Sequence, residues 1–463
     1  MRKILWILTE ERPKLEVVEI IVRRFSEKLS HNINVSGLRI RPIFLENKKF
    51  AMEYEVLGVT SDLVSAVRIK IVSGNSSFTD YLIYFQAELP RPEQPPFMVI
   101  EETKTDDRES RNTGVFQRAS KFVYLDLFYP GVERAMLYNI QVGETYDPTE
   151  TNIFGTRCLK TLGVEILGKR DAVAQLSPYG SLNELIASRS AMRRPPRGNV
   201  PIAIVAGADE VSISGRLVKN GSLSHDPNIG ALSLISATVR KLGWTKRIRI
   251  VQHGLSQGML GARNKFVQIA NHLDLEVDGL NLPAAITPTT YWRYEVSGEK
   301  ITTILIHLAL EEQSTERIVF ENHAGCEKGY FLEPDGSPLA VAKRVVGIDG
   351  KMKRDSPPIQ LPDLVIVDDR RKEAIVIEGE RAENLSAGVR QLATFSNFEQ
   401  SYLARYYPGF SVRRVVVLFG GPDSDSGYDP AVMRLSDTGR LLFSKSCPKA
   451  IVEAFRNSGA GSV

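Results

Sequence analysis

Apolar residues in this chain follow two periods that alternate from stretch to stretch. Val17, Ile20, Ile21, Phe25 and Leu29 recur every three or four positions, predicting a helix over residues 14–29 with one buried stripe. Residues 67–72 alternate apolar and charged positions, the signature of a half-buried strand. Residues 97–100 are a short apolar run after a proline-rich turn, and the predicted strand ends in Glu101, Glu102, Thr103 and Lys104. Phe116, Ser120, Val123 and Leu127 then share a helical face, with Asp106, Asp107 and Glu109 suited to that helix's start. Residues 153–167 have the spacing of another helix with Gly163 near its end, and Leu232, Ile235, Val239 and Leu242 mark one over 231–242. The last third holds a strand over 362–367, a charged turn, a return strand over 374–377, a helix over 387–398 and a strand over 413–419. Together these predict a mixed α/β protein.

Two strand ends carry more charge than a buried strand needs. Side chains alternate faces, so Glu102 and Lys104 project from one side of the first strand. Charges on an apolar strand are costly unless something uses them. A hairpin or crossover that brings Asp80 beside them yields two carboxylates and a lysine. Two carboxylates suit Mg²⁺, which prefers oxygen ligands and retains several waters. Such an ion activates a water and neutralises charge on a phosphate, while the ammonium orients the nucleophile. In the last third Glu378 and Glu380 share a face by the same parity, following Asp363 on the preceding strand. Glu321 is a candidate upstream acidic partner. Glu46, Glu53 and Glu55 read as a solvated face.

Asp80, Glu102 and Lys104 resemble the D…(D/E)xK core of the PD-(D/E)xK nuclease superfamily, which includes most type II restriction endonucleases. The family's proline is replaced by Thr79 before Asp80. Pro362 and Asp363 keep the Pro-Asp pair, and Glu378–Gly379–Glu380 has glutamate where the family usually has lysine. The resemblance covers residues 78–122 and 360–400. It implies a nuclease core, a mixed sheet flanked by helices, and a second nuclease-like core. It further implies Mg²⁺ held by Asp80 and Glu102 with Lys104 assisting the attacking water, and Asp363, Glu378 and Glu380 acting equivalently at the second core. Gln117, Arg118 and Lys121 fall where the family often has a supporting glutamine or basic residue. The implied activity is sequence-specific hydrolysis of duplex DNA by a monomer or homodimer, with a separately encoded DNA methyltransferase protecting the host. A structure-specific or repair nuclease, and a DNA-binding protein with degenerate nuclease folds, are the rival readings.

Composition is that of ordinary globular protein: 463 residues, 43% hydrophobic and 25% charged. This predicts two or three domains, placed at 1–170 (nuclease), 171–300 (recognition) and 301–463 (second nuclease-like core). A net charge of +4 permits a polyanionic partner without requiring one. The recognition region is placed by Arg193, Arg194 and Arg197 around a Pro-Pro pair and by Lys246 and Arg247 before a strand, all suited to phosphate contact. Cys158, Cys326 and Cys447 lack metal-ligand spacing, and the histidines do too, so a thiol or imidazole metal site is not expected. The five-residue apolar run near the start is too short for a signal peptide or a membrane span, so a soluble, cytoplasmic protein is expected. No GxxxxGK[ST] or GxGxxG motif occurs, so ATP-driven translocation and a fused methyltransferase are not supported.

Overall fold

The helical stripes and strand alternations are realised element by element in the computed structural model. It describes residues 3–46, 49–75, 77–103, 114–138, 149–167, 175–192, 202–219, 222–223, 227–294, 300–311, 316–322, 330–341, 358–423 and 429–458. The protein is mixed α/β, with several mixed sheets flanked by helices. It divides into two compact units, Met1–Ser73 with Tyr294–Val463, and Gly74–Arg293. The expected boundary at 170 falls inside the second unit, and that at 300 lies just beyond the point where the chain returns to the first.

The first unit opens with β1 (Lys3–Thr9), α1 (Leu15–Lys28), β2 (Asn34–Glu46), β3 (Lys49–Thr60) and β4 (Val64–Gly74). Val17, Val18, Ile21, Val22 and Phe25 form the buried stripe of α1. Its strands run β2-β3-β4-β1, antiparallel except for the parallel pairing of β1 with β4. Glu53, almost fully buried, is held across this sheet by Arg68 at 3.0 Å and Lys70 at 3.2 Å. Glu55 pairs with Arg41.

The second unit contains β5 (Tyr81–Gln86), β6 (Met98–Thr103), α2 (Gly114–Leu125), β7 (Glu133–Tyr138), α3 (Glu150–Thr161) and β8 (Val164–Leu167). β5 is antiparallel to β6, and β6, β7 and β8 are parallel. The helix expected over 153–167 stops early because Gly163 turns the chain at φ +80°, and the four residues after it form β8. The unit continues with α4 (Leu182–Ala191), β9 (Ala203–Ala206), β10 (Glu210–Arg216), α5 (Pro227–Lys241), β11 (Arg247–His253), α6 (Lys265–His272) and β12 (Leu275–Val277). Strands here run β12-β11-β10-β9, parallel except for β9. α5 is buried on every side from Ile229 to Val239, because it packs on α2 and α3 as well as on β10.

Back in the first unit come α7 (Ile301–Leu310), β13 (Glu316–Glu321), β14 (Leu364–Asp368), β15 (Glu373–Arg381), α8 (Leu385–Leu392), β16 (Ser411–Phe419), β17 (Ala431–Leu435), β18 (Leu441–Phe443) and α9 (Lys449–Asn457). The sheet order is β13-β14-β15-β16-β17-β18. β13, β14 and β15 are antiparallel neighbours, whereas β15, β16 and β17 are parallel. β14 and β15 read as nearly continuous Val and Ile runs because both sheet faces are covered. On one face Val365, Val367, Val376, Val416 and Leu418 pack with Phe395, Phe398 and Tyr402. α7 is apolar all round and wholly buried from Thr302 to Leu310, with His307 its one ionisable residue. Burial would lower the His307 pKa, but the Glu321 carboxylate at 3.0 Å and Glu311 at 3.2 Å outweigh it and push it up to about 10. Arg12 completes the group by pairing with Glu311 at 2.9 Å. Among the described residues no helix is long and apolar enough to cross a membrane.

Candidate active site

The strand ends singled out by charge are both real, and they differ in how the charge is satisfied. At the first unit's site, Leu364 on β14 faces Ile377 on β15, so the next pair outward is Asp363 and Glu378 on one face. The Gly379 N–H donates to Asp363 Oδ2 at 3.0 Å, which fixes that carboxylate at the strand junction. Lys300, at the start of α7, places Nζ 3.1 Å from Asp363 Oδ1 and donates to the Asn322 carbonyl at 2.6 Å. Glu378 and Glu380 follow at alternate positions of β15, both buried. Glu378 is 5% exposed, and its Oε2 has no hydrogen-bond partner among the described residues. Burial, with Asp363 and Glu380 adding like charge, pushes the Glu378 carboxyl up to about 9, against a smaller opposing pull from Lys300. Asp363, Glu378 and Glu380 are thus brought together. Glu321 is not with them, being turned to His307. Lys300 is the residue that sequence reasoning missed, since nothing local links a helix start to a strand more than sixty residues later.

α8 approaches this row very closely at Gly388. A Cβ there would meet Glu380 Cγ at 2.7 Å and Val416 Cγ1 at 3.4 Å. Gly388→Ala is therefore expected to push Glu380 out of place and to cost about 1–3 kcal/mol by overpacking. Denaturant unfolding checks the stability, and the cost should shrink in an Glu380→Ala background, where Cγ is gone.

At the second unit's site the β5/β6 register decides which glutamate joins Asp80. Tyr81 faces Ile100, so Asp80 is opposite Glu101, not Glu102. A one-residue step moves a side chain to the other face. The Asp80 N–H donates to Glu101 Oε2 at 3.2 Å, and Asp80 Oδ2 accepts from the Glu102 N–H at 2.7 Å. The Glu102 carboxylate itself accepts from Tyr81 Oη at 2.8 Å. Two cations from α2 complete the group. Lys121 Nζ is 2.7 Å from Glu101 and 3.6 Å from Asp80, and Arg118 is 3.1 Å and 3.8 Å from the same pair. Burial and then Asp80 push the Glu101 carboxyl up to about 7 despite Lys121 and Arg118. Lys265, from α6, lies 3.4 Å from Ser120 Oγ, and burial followed by Lys121 pushes it down to about 8. Here the acids are matched by bases. Lys104 lies outside the described residues, as does the side chain of Gln117.

Neither family models, nor curated proteins, nor solved structures give a match to this chain.

Of the residues expected to touch DNA, Arg193, Arg194 and Arg197 lie outside the described residues. Lys246 pairs with Asp209 at 2.8 Å, and Arg247 pairs with Glu276 and with Glu210 at 3.4 Å. These two charges are balanced within their own sheet edge. Cys158 and Cys447 are free and buried. Among the described residues no group of three or more His, Cys, Asp or Glu side chains is arranged as a ready-made metal cage.

Proposed function

We propose that this protein is a Mg²⁺-dependent phosphodiesterase that cuts duplex DNA, with its working site at Asp363, Glu378 and Glu380. The observation that carries the reading is the Glu378 carboxylate: buried, beside two more carboxylates, with one oxygen that no group among the described residues satisfies. Leaving such an oxygen without a partner is costly, and a hard divalent cation is the group that suits it. Mg²⁺ needs only one or two carboxylates, because it keeps waters for its other positions. Asp363 and Glu378 would hold the ion, whose chemistry is to activate a water and neutralise charge at a phosphate.

The chain's own residues do the rest. The Gly379 N–H and Lys300 fix both oxygens of Asp363, so that carboxylate is oriented before any ligand arrives. Lys300 also supplies positive charge beside the acids, where a phosphate has to approach. Glu380, kept in place by Gly388, lies on the same face as Glu378 and is positioned to accept a proton from a water. The family resemblance of the strand pair and the mixed sheet with helices packed on it support the same reading. The balanced charges around Asp80 and Glu101 support a structural role for the other site. Specificity for a short DNA sequence, as in a type II restriction endonuclease, is the form of the activity we favour.

Incubating the protein with plasmid DNA and Mg²⁺ tests this. Discrete bands that disappear on chelation are expected. A smear would redirect the reading to a repair-type nuclease, and intact DNA under every divalent ion would end it.

A further inference from the structure

A buried arginine sits in the same cross-strand row as the site's last glutamate. Glu380 on β15 is paired with Leu418 on β16, and Leu418 with Arg434 on β17. Residues paired across neighbouring strands point to the same face. Arg434 therefore shares the face of Glu380, two strand spacings or about 9.5 Å away. It is 8% exposed. The sole hydrogen bond of its side chain among the described residues is a long one, from Nη1 to the Pro422 carbonyl at 3.3 Å, and its Nε has no partner there. No carboxylate of the described residues lies within ion-pair distance of it. The neighbouring Asp423 is occupied by Thr438 at 2.7 Å and Arg440 at 3.6 Å.

A guanidinium buried without an anion is expensive, because desolvation of the charge is not returned by any ion pair. The backbone also comes close to its head. Gly421 has φ +89°, and a Cβ there would stand 3.2 Å from Arg434 Nη1 and 3.2 Å from Ala382 Cβ. Ala382 follows Glu380 by two residues, so the guanidinium lies near the end of the carboxylate strand. Guanidinium presents Nε and Nη as a planar fork that fits two oxygens of a phosphate.

We infer that Arg434 is a phosphate-binding residue that grips the nucleic-acid backbone next to the carboxylate site, through Nε and one Nη. This rests on the phosphodiesterase reading for its ligand, though not for its geometry. The test uses the full chain, wild type and with Arg434→Met or Arg434→Lys, and two probes in excess chelator: inorganic phosphate, and a short DNA duplex across a salt series. Met keeps the apolar stem and removes the charge. Its unfolding midpoint should match or exceed wild type, whereas its affinity for each probe should fall about 10-fold or more, as expected for a lost charged hydrogen bond. Its duplex salt slope should fall by about one unit. Lys, a point charge without the fork, should fall between. Unchanged affinity and salt slope in Arg434→Met overturn the assignment. Should that variant not fold, Arg434→Lys decides, and affinity equal to wild type for both probes overturns it. DNA left uncut in Mg²⁺ while Arg434 still governs phosphate affinity breaks the phosphodiesterase reading and upholds the phosphate site. DNA cut normally while Arg434→Met leaves both affinities alone does the reverse.

Discussion

Glu378→Gln is expected to slow Mg²⁺-dependent DNA cutting by about 10²–10³-fold, the usual loss when one preorganised electrostatic group is removed from a reacting centre. The substitution preserves shape and removes only the ability to become an anion, so duplex binding in chelator should be nearly unchanged. A pH signature accompanies it. With its carboxyl pushed up to about 9, Glu378 holds a proton at neutral pH, and a cation can bind there only by displacing it. Mg²⁺ affinity of the wild type should therefore rise about tenfold per pH unit from pH 7 toward 9, with proton release seen by calorimetry in two buffers, and Glu378→Gln should flatten that rise. Stability moves the other way. A carboxyl whose folded pKa lies above its unfolded one contributes fully below about pH 4.5 and loses that contribution as pH climbs through about 9. Without divalent ions the wild type should thus weaken toward alkaline pH more than the variant does. Wild-type cutting rates in Glu378→Gln would remove this carboxylate from the mechanism.

Lys121→Met is expected to destabilise the second unit by about 3 kcal/mol at pH 8, in the range found when one partner of a buried ion pair is removed. Glu101 is wholly buried and shares Lys121 and Arg118 with Asp80, so the loss leaves two carboxylates to one nearby guanidinium. The effect should shrink at pH 5. Glu101 already sits at about 7, so it is protonated at pH 5 in both proteins and Lys121 retains Asp80, at 3.6 Å, as its partner. Its own contribution is complete below about pH 4.5 and fades as pH rises through 7, and losing Lys121 shifts that fading further up. Unfolding by denaturant at the two pH values measures the difference. A loss equal at pH 5 and pH 8 would mean that Lys121 does not act through Glu101. Cutting should survive in this variant if the working site is at Asp363, Glu378 and Glu380. Abolished cutting in a folded Lys121→Met would move the chemistry to Asp80.

Much of the architecture is readable in the residues themselves. The strands over 364–368 and 373–381, the stripe of α1 and the run that becomes α5 are each visible as local apolar patterns, and parity alone places Glu378 and Glu380 on one face. What escapes is set by pairing between distant segments. Glu101 replaces Glu102 beside Asp80 because β5 and β6 meet in a register that no turn of two or three residues specifies. Lys300 reaches Asp363 only once α7 is laid on the sheet. Glu321 turns to His307 because a buried imidazole between two glutamates is the better home for its charge. Arg434 resembles any arginine in a short apolar stretch until its cross-strand neighbours are known. Nothing in local composition reveals that the chain leaves the first unit after Ser73 and returns to it at Tyr294.

That return has a consequence for synthesis. The first unit is assembled from Met1–Ser73 and Tyr294–Val463, with all of Gly74–Arg293 between them. At about 5–20 residues per second, a ribosome needs on the order of ten seconds or more to make the intervening stretch. During that interval β1–β4 and α1 are already outside the tunnel, while α7, which supplies Glu311 to Arg12, does not yet exist. The early segment must stay unaggregated with its docking surface bare until the late one arrives. Nascent chains stalled before residue 300 should accordingly be held by chaperones and cleaved by proteases within residues 1–73, whereas those stalled after the last strand should resist.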